Sequence, residues 1–269
     1  MSNLRLADLY KSKGEYKRAE ALARAALLIN EKVLPEEHPD IAYNNMILGQ
    51  SLMSQKDFEQ AEAFIQKAYT LYLRHYGDKN SATRQLLVIL ASVYKGLNED
   101  ELALPLFLQQ LEDESGMSAD DQAPLFNNMA GVYRRQGDYV LSAYYFNCAL
   151  EQYTIAYGDD CSKCAVPYYN LANVYNLMGQ YEQALPAIAR AIDLASQATP
   201  GHFQIPLFKG IEGLALTGIG CGGEGIPQLE ESVKALSQQI GAQNQYTKQT
   251  KIRLELARDL EKGQASRPF

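Results

Sequence analysis

Apolar residues along the chain recur at three- and four-residue spacing. The runs are longer than strands and come in pairs separated by a glycine or a polar residue. The stretch around Gly179 shows the unit best. Leu171, Ala172, Val174, Tyr175 and Met178 form one stripe, and Gly179 stands where a helix C-cap takes a left-handed residue. Tyr181, Ala184, Leu185, Ile188, Ala191, Ile192 and Ala195 form a second stripe. The pattern predicts two helices joined by a tight turn. Ala172, Ala184 and Ala191 let the paired helices approach closely, while Tyr175 and Tyr181 fill the volume between neighbours.

The same arrangement returns along the chain. It reads Ala7, Tyr10, Gly14, Tyr16, Ala19, then Gly49, Leu52, Lys56, Phe58, Ala61, then Ala91, Tyr94, Asn98, Asp100, Ala103. It continues as Ala130, Tyr133, Gly137, Tyr139, Ser142 and as Ala172, Tyr175, Gly179, Tyr181, Ala184. The steps between leading small residues are 42, 42, 39 and 42. A fixed period of this length predicts a solenoid of stacked helix hairpins, each covering the apolar face its neighbour leaves bare.

A sixth copy, at Gly213, Leu216, Gly220, Gly222 and Gly225, is glycine-rich and is expected to pack more loosely. Pro105, Pro186 and Pro227 are expected in the first turn of second helices, where a missing N–H removes no bond. Asn244 to Lys262 reads as one more helix, with Ile252, Leu254, Leu256, Ala257 and Leu260 as its apolar face and a charged, solvated outer side. The chain is therefore expected to hold a repeat array over 1–243, with copies at about 2–37, 38–79, 80–118, 119–162, 163–203 and 204–243. A capping helix over 244–262 and a flexible tail over 263–269 complete the expectation.

Met1-Ser2-Asn3 runs almost directly into the first copy, without a cap. The expectation is a fragment of a longer protein, or a first repeat that packs on something else, self-association through that end included. No apolar run is long enough for a membrane helix, and no charged-then-apolar leader is present.

These residues resemble the tetratricopeptide repeat, and the 42-residue spacing is similar to the extended variant of kinesin light chains and related bacterial and fungal proteins. Three stretches carry the closer likeness. Ala26 to Leu34 followed by His38-Pro39-Asp40-Ile41-Ala42 is similar to the joint between repeats. Asn127-Asn128-Met129-Ala130 resembles the family's Asn-Asn-Leu-Ala element, and Tyr169-Asn170-Leu171-Ala172 is a variant of it. The resemblance covers Leu4 to Leu236 and implies an all-α fold, a right-handed α-α superhelix of about six helix-turn-helix units. It also implies that first helices line a concave groove for an extended peptide.

Mapped by register, that groove would present Gln50, Ser92, Lys95, Asn127, Gly131, Arg134, Tyr169, Asn173 and Asn176, with Asp8, Lys11, Met46, Met53 and Val88 beside them. Asn can donate to and accept from a peptide backbone at once, Arg134 and Lys95 can pair with acidic side chains, and Tyr169 offers apolar area with a polar tip. The clamp that chaperone-binding members use for a C-terminal carboxylate is not matched. After Asn127 and Asn170, the corresponding places hold Leu207 and Ile211.

Composition narrows the partner. The net charge is −7, and residues 61–200 hold 9 basic against 16 acidic residues. An acidic middle argues against sequence-independent nucleic-acid binding, which needs basic clusters to neutralise phosphates. Of 18 tyrosines, ten lie between Tyr133 and Tyr181. Tyr144, Tyr145, Tyr153, Tyr157, Tyr168 and Tyr169 exceed what the repeat needs, which favours copies four and five as a binding region, with padding of longer helices as the alternative.

Cys161-x-x-Cys164 falls in the joint between copies four and five. It reads either as an incidental structural pair or as a local disulfide, and Cys164, before a helix, could have a lowered thiol pKa. The other cysteines, Cys148 and Cys221, and the histidines, His38, His75 and His202, do not stand at metal-ligand spacing with them, so no metal is expected. Gly218-x-Gly220-x-Gly222-Gly223-x-Gly225 contains a dinucleotide fingerprint, but its flanks read as helices, so a helix turn is expected. No catalytic or cofactor motif stands out. The expected function is a non-enzymatic scaffold, cytoplasmic unless Cys161 and Cys164 form a disulfide, that binds a protein or peptide and neither nucleic acid nor membrane. Two alternatives stand beside it: a sensor or docking segment of a larger enzyme or regulator, and a redox-switched adaptor acting through Cys161 and Cys164.

Overall fold

The computed structural model describes residues 3–112 and 117–263. The tail expected from 263 onward lies, past Gly263, outside the described residues. Among the described residues there are thirteen α-helices, one 3-10 turn at Ser162–Cys164 and no strand.

The chain divides into two compact units, one within 1–116 and one within 117–269. The first contains α1 (Asn3–Ser12), α2 (Tyr16–Val33), α3 (Pro39–Ser54), α4 (Phe58–Tyr76), α5 (Ser81–Leu97) and α6 (Asp100–Glu112). The second contains α7 (Ala119–Gln136), α8 (Tyr139–Tyr157), α9 (Ala165–Leu177), α10 (Tyr181–Ala198), α11 (Gln204–Gly218), α12 (Gly222–Gln239) and α13 (Gln245–Glu261). Within each unit every helix packs on the one before it, and α1 on α3, α3 on α5, α9 on α11 and α11 on α13 pack as second neighbours.

The turn position of the repeat explains the hairpins. Gly137 and Gly179 adopt φ of 83° and 70°, where a β-carbon would clash with the backbone. In copies two and three Lys56 and Asn98 take the same left-handed conformation, with φ of 65° and 63°. Asn tolerates it through local hydrogen bonding, whereas Lys56 holds it at a conformational cost of about 1–2 kcal/mol. Polar caps start the helices: Asp57 accepts from the Gln60 N–H, Asn80 from Ala82, Asp138 from Leu141 and Asn244 from Tyr246, at 2.9–3.2 Å. His38 is such a joint residue, its Nδ1 accepting from the Asp40 N–H at 3.1 Å.

The apolar stripes form the cores. In the first unit Ile41, Ile47, Leu48, Ile65 and Leu86 are fully buried, and in the second Phe146, Ile188, Leu194 and Phe208. Each such side chain contributes roughly 1.5–3 kcal/mol by leaving water.

Three expectations are corrected. Pro105, Pro186 and Pro227 lie inside α6, α10 and α12, each at the sixth helical residue, past the first turn. The carbonyls they leave without a helical donor belong to Glu101, Glu182 and Gly223, which are exposed, so water can satisfy them. The glycine-rich sixth copy is tight, because Gly213 and Gly225 bring the backbones of α11 and α12 together: a β-carbon on Gly213 would stand 2.7 Å from the Gly225 carbonyl oxygen. Finally, Ile252 is 63% exposed and does not share the core face of α13, which is Thr247, Thr250, Leu254 and Ala257.

Candidate functional site

In the second unit α11 packs against both α9 and α13. Residues of these three helices, with Arg134 of α7 and Phe203 just before α11, line an open cavity of about 750 Å³. Part of the wall is apolar, with Tyr169, Phe203, Leu207, Phe208, Tyr246 and Leu256. Val166, Leu177 and Ile252 also line it while 41%, 37% and 63% exposed, so the cavity offers apolar surface to an occupant. The polar part is Arg134, Asn170, Asn173, Asn176, Gln204, Gln245, Gln249 and Arg253, and no Asp or Glu lines the cavity among the described residues.

Four of the residues picked out from the sequence meet here: Arg134, Tyr169, Asn173 and Asn176. Tyr169 stacks on Phe208 with ring centroids 4.7 Å apart and planes at 21°, which fixes its ring and leaves an edge to the cavity. The Asn173 side-chain oxygen accepts a long 3.4 Å bond from Arg253 Nη2, and its NH₂ group has no partner among the described residues. Asn176 departs from the expectation of a free peptide-backbone contact. It is buried, and its Nδ2 donates to the Ile211 carbonyl at 3.0 Å, so its donor ties α9 to α11, while its Oδ1 is buried without a partner.

Arg134 is half-buried, and its Nε is closed off from solvent with no acceptor. Burial pulls its pKa below the ordinary guanidinium value; Tyr169 pulls it up, and Arg135 and Arg253 pull it down. Arg253 is in the same position, with Nη1 buried and unpartnered.

The remaining predicted residues do not line this cavity. Asn127 and Gly131 precede Arg134 on the same α7 face at helical spacing. Asn127 is half-buried with an unpartnered Oδ1, and a β-carbon at Gly131 would meet open space. Gln50, Ser92 and Lys95 are half-buried in the first unit, on α3 and α5. Gln50 accepts from Lys11 Nζ at 2.6 Å and Ser92 Oγ donates to the Val88 carbonyl at 2.9 Å.

Sequence reading missed the contribution of α13. Tyr246, Gln249, Arg253 and Leu256 all line the cavity and recur at helical spacing, a face distinct from the core face through Thr250, Leu254 and Ala257. That second periodicity was the available signal; the density of charge on this helix concealed it.

The surplus tyrosines divide. Tyr145 stacks on Tyr133, with centroids 5.3 Å apart and planes at 2°, and Tyr153, Tyr168 and Tyr169 pack on the core. Tyr144 and Tyr157 are exposed. Cys161 and Cys164 are free thiols, 7% and 1% exposed, inside the core of the second unit. Burial, then the neighbouring Cys161, pushes the Cys164 thiol up to about 12, the opposite of the lowering expected from a helix N-terminus. The glycine fingerprint lies across the end of α11 and the start of α12, with helix on both sides. Among the described residues no helix is long and apolar enough to cross a membrane.

Family models described as tetratricopeptide repeat match residues 4–40, 46–81 and 121–197, together more than half of the chain. No curated protein sequence matches it. Several solved structures share the fold at low identity. BtubC (BKLC) from P. vanneervenii superposes with a TM-score of 0.69 at 16% identity, covering 84% of this chain and 92% of that one. A putative kinesin light chain from Podospora anserina with nearly identical repeats gives 0.59 at 15%, covering 74% and 95%. The Rap conjugation gene regulator of plasmid pLS20, in complex with the Phr* peptide, gives 0.62 at 16%, covering 97% and 74%.

Proposed function

Because the chain belongs to the tetratricopeptide repeat family, we propose that it is a non-enzymatic adaptor whose second unit holds an extended segment of another protein in the cavity walled by α9, α11 and α13. One observation carries the reading: exposed Val166, Leu177 and Ile252 share that cavity with side chains rich in unspent hydrogen-bonding capacity. An apolar pocket with a few convergent polar groups is the usual form of a recognition site. An extended segment suits it because its backbone can bond to Asn173 while alternate side chains reach the apolar walls. The neighbour that is solved with a peptide lends the same reading support by fold alone.

A photo-cross-linking residue placed at Ile252 tests this, with Val140 of α8, 69% exposed, as control. The expected result is a cross-linked partner peptide at position 252 and none at 140, abolished by Tyr169→Ala. Equal labelling at the two positions contradicts the assignment.

A further inference from the structure

We propose that Arg134 and Arg253 form the anion-recognising point of this cavity and take one acidic side chain, Asp or Glu, from inside an otherwise apolar segment of the bound protein; this rests on the peptide-binding reading above. Two guanidiniums line the same cavity, one from α7 and one from α13, near enough for the charge of Arg253 to act on Arg134. Neither has an ion-pair partner among the described residues, although ten other pairs join acidic and basic side chains elsewhere. Arg134 Nε and Arg253 Nη1 are both shut off from solvent without an acceptor. Among the described residues the single polar contact of Arg253 is the long 3.4 Å bond to Asn173.

Like charges sharing one cavity without a counter-charge are costly, so such a pair persists where a complementary anion meets the parts of the two guanidiniums that face the cavity. A carboxylate matches guanidinium geometry and accepts from two donors at once. The NH₂ group of Asn173, without a partner among the described residues, lies on the same wall and suits a peptide backbone beside that carboxylate.

The apolar residues set where the acid stands in the segment. Val166 lies near the start of α9 and Leu177 at its end, about 16 Å apart along the axis. Asn173, the contact of Arg253, is between them, and Ile252 adjoins Arg253 on the opposite wall. A carboxylate at the arginines therefore has apolar surface on both sides, which fits an internal Asp or Glu rather than a chain end.

Two random dodecapeptide phage libraries test the proposal, one fused to the coat protein through the peptide C-terminus and one displaying free C-termini, each panned against the whole chain. The expected selection is an Asp or Glu between apolar residues in the first library. A synthetic copy of the selected peptide should lose about tenfold or more in affinity when its acid becomes the amide, and about as much on Arg253→Gln or Arg134→Gln. Both variants should melt no lower than the parent, since each removes an uncompensated buried charge, so lost binding is not lost folding. Selected peptides without an acidic preference would overturn the two-arginine assignment and leave the groove reading standing. Enrichment only of free C-termini would overturn it in favour of a chain-end carboxylate. Failure of both libraries to enrich any peptide that cross-links at position 252 would sink the groove reading and this proposal with it.

Discussion

Gly213 and Gly225 face each other across α11 and α12 with no room for a side chain: a β-carbon on Gly213 would reach the Gly225 carbonyl oxygen at 2.7 Å and Leu229 Cγ at 3.0 Å. The backbone oxygen cannot move without shifting α12, so overpacking here is not relieved by a rotamer change. Gly213→Ala is expected to destabilise the second unit by about 1–3 kcal/mol. Gly223→Ala, where a β-carbon meets nothing within 4 Å, should instead stabilise it by roughly 0.5 kcal/mol through helix propensity. Thermal melting of the two variants shows the opposite shifts, and equal shifts would mean that the crossing is not tight.

Asn44 presents a different kind of misfit. Both its Nδ2 and Oδ1 are buried without a partner among the described residues, and the side chain is fully inaccessible. It stands five residues before the leading small residue of its repeat, where copies three, four and six place Leu86, Leu125 and Phe208, all buried. Asn44→Leu should therefore stabilise the first unit by about 1–3 kcal/mol, the usual penalty of an unpaired buried polar group. A higher denaturation midpoint with an unchanged slope is the expected result, and a lower midpoint contradicts it.

The buried thiols carry a pH dependence. The folded state raises Cys164 to about 12, so it holds this proton more tightly than the unfolded chain, whose thiol titrates near about 8.5. The resulting stability is complete below the unfolded value and is lost as pH rises through that window toward the folded one. Comparing melting temperatures at pH 7 and pH 10 should show a larger drop in the parent than in Cys164→Ala. In the native protein at pH 8, alkylation should reach exposed Cys221 far faster than Cys161 or Cys164. Equal rates would place the pair outside the core.

Most of the architecture was legible in the sequence because helical periodicity and the small-aromatic-turn pattern act locally. Gly179 and Asn98 announce their turns through backbone conformation alone. What stayed hidden depends on which face of a helix meets which neighbour. Ile252 and Leu254 are both apolar and two residues apart, yet one faces the cavity and the other the core. Asn176 was recognisable as a residue of the first-helix face, but its bond to the Ile211 carbonyl depends on how closely α11 approaches α9, which no local pattern announces. The two-arginine pair was invisible for the same reason: Arg134 and Arg253 are 119 positions apart in the chain.

The central claim is that the cavity walled by α9, α11 and α13 is where a partner segment sits. Methyl-labelled NMR of the whole chain, titrated with a peptide from the phage selection, tests it most directly. The account predicts shifts concentrated on Val166, Leu177, Ile252 and Leu256, with Val140 and Ile155, exposed on α8, unmoved. Shifts confined to Val140, Ile155 or the exposed Leu28 and Val33 of α2 would contradict it.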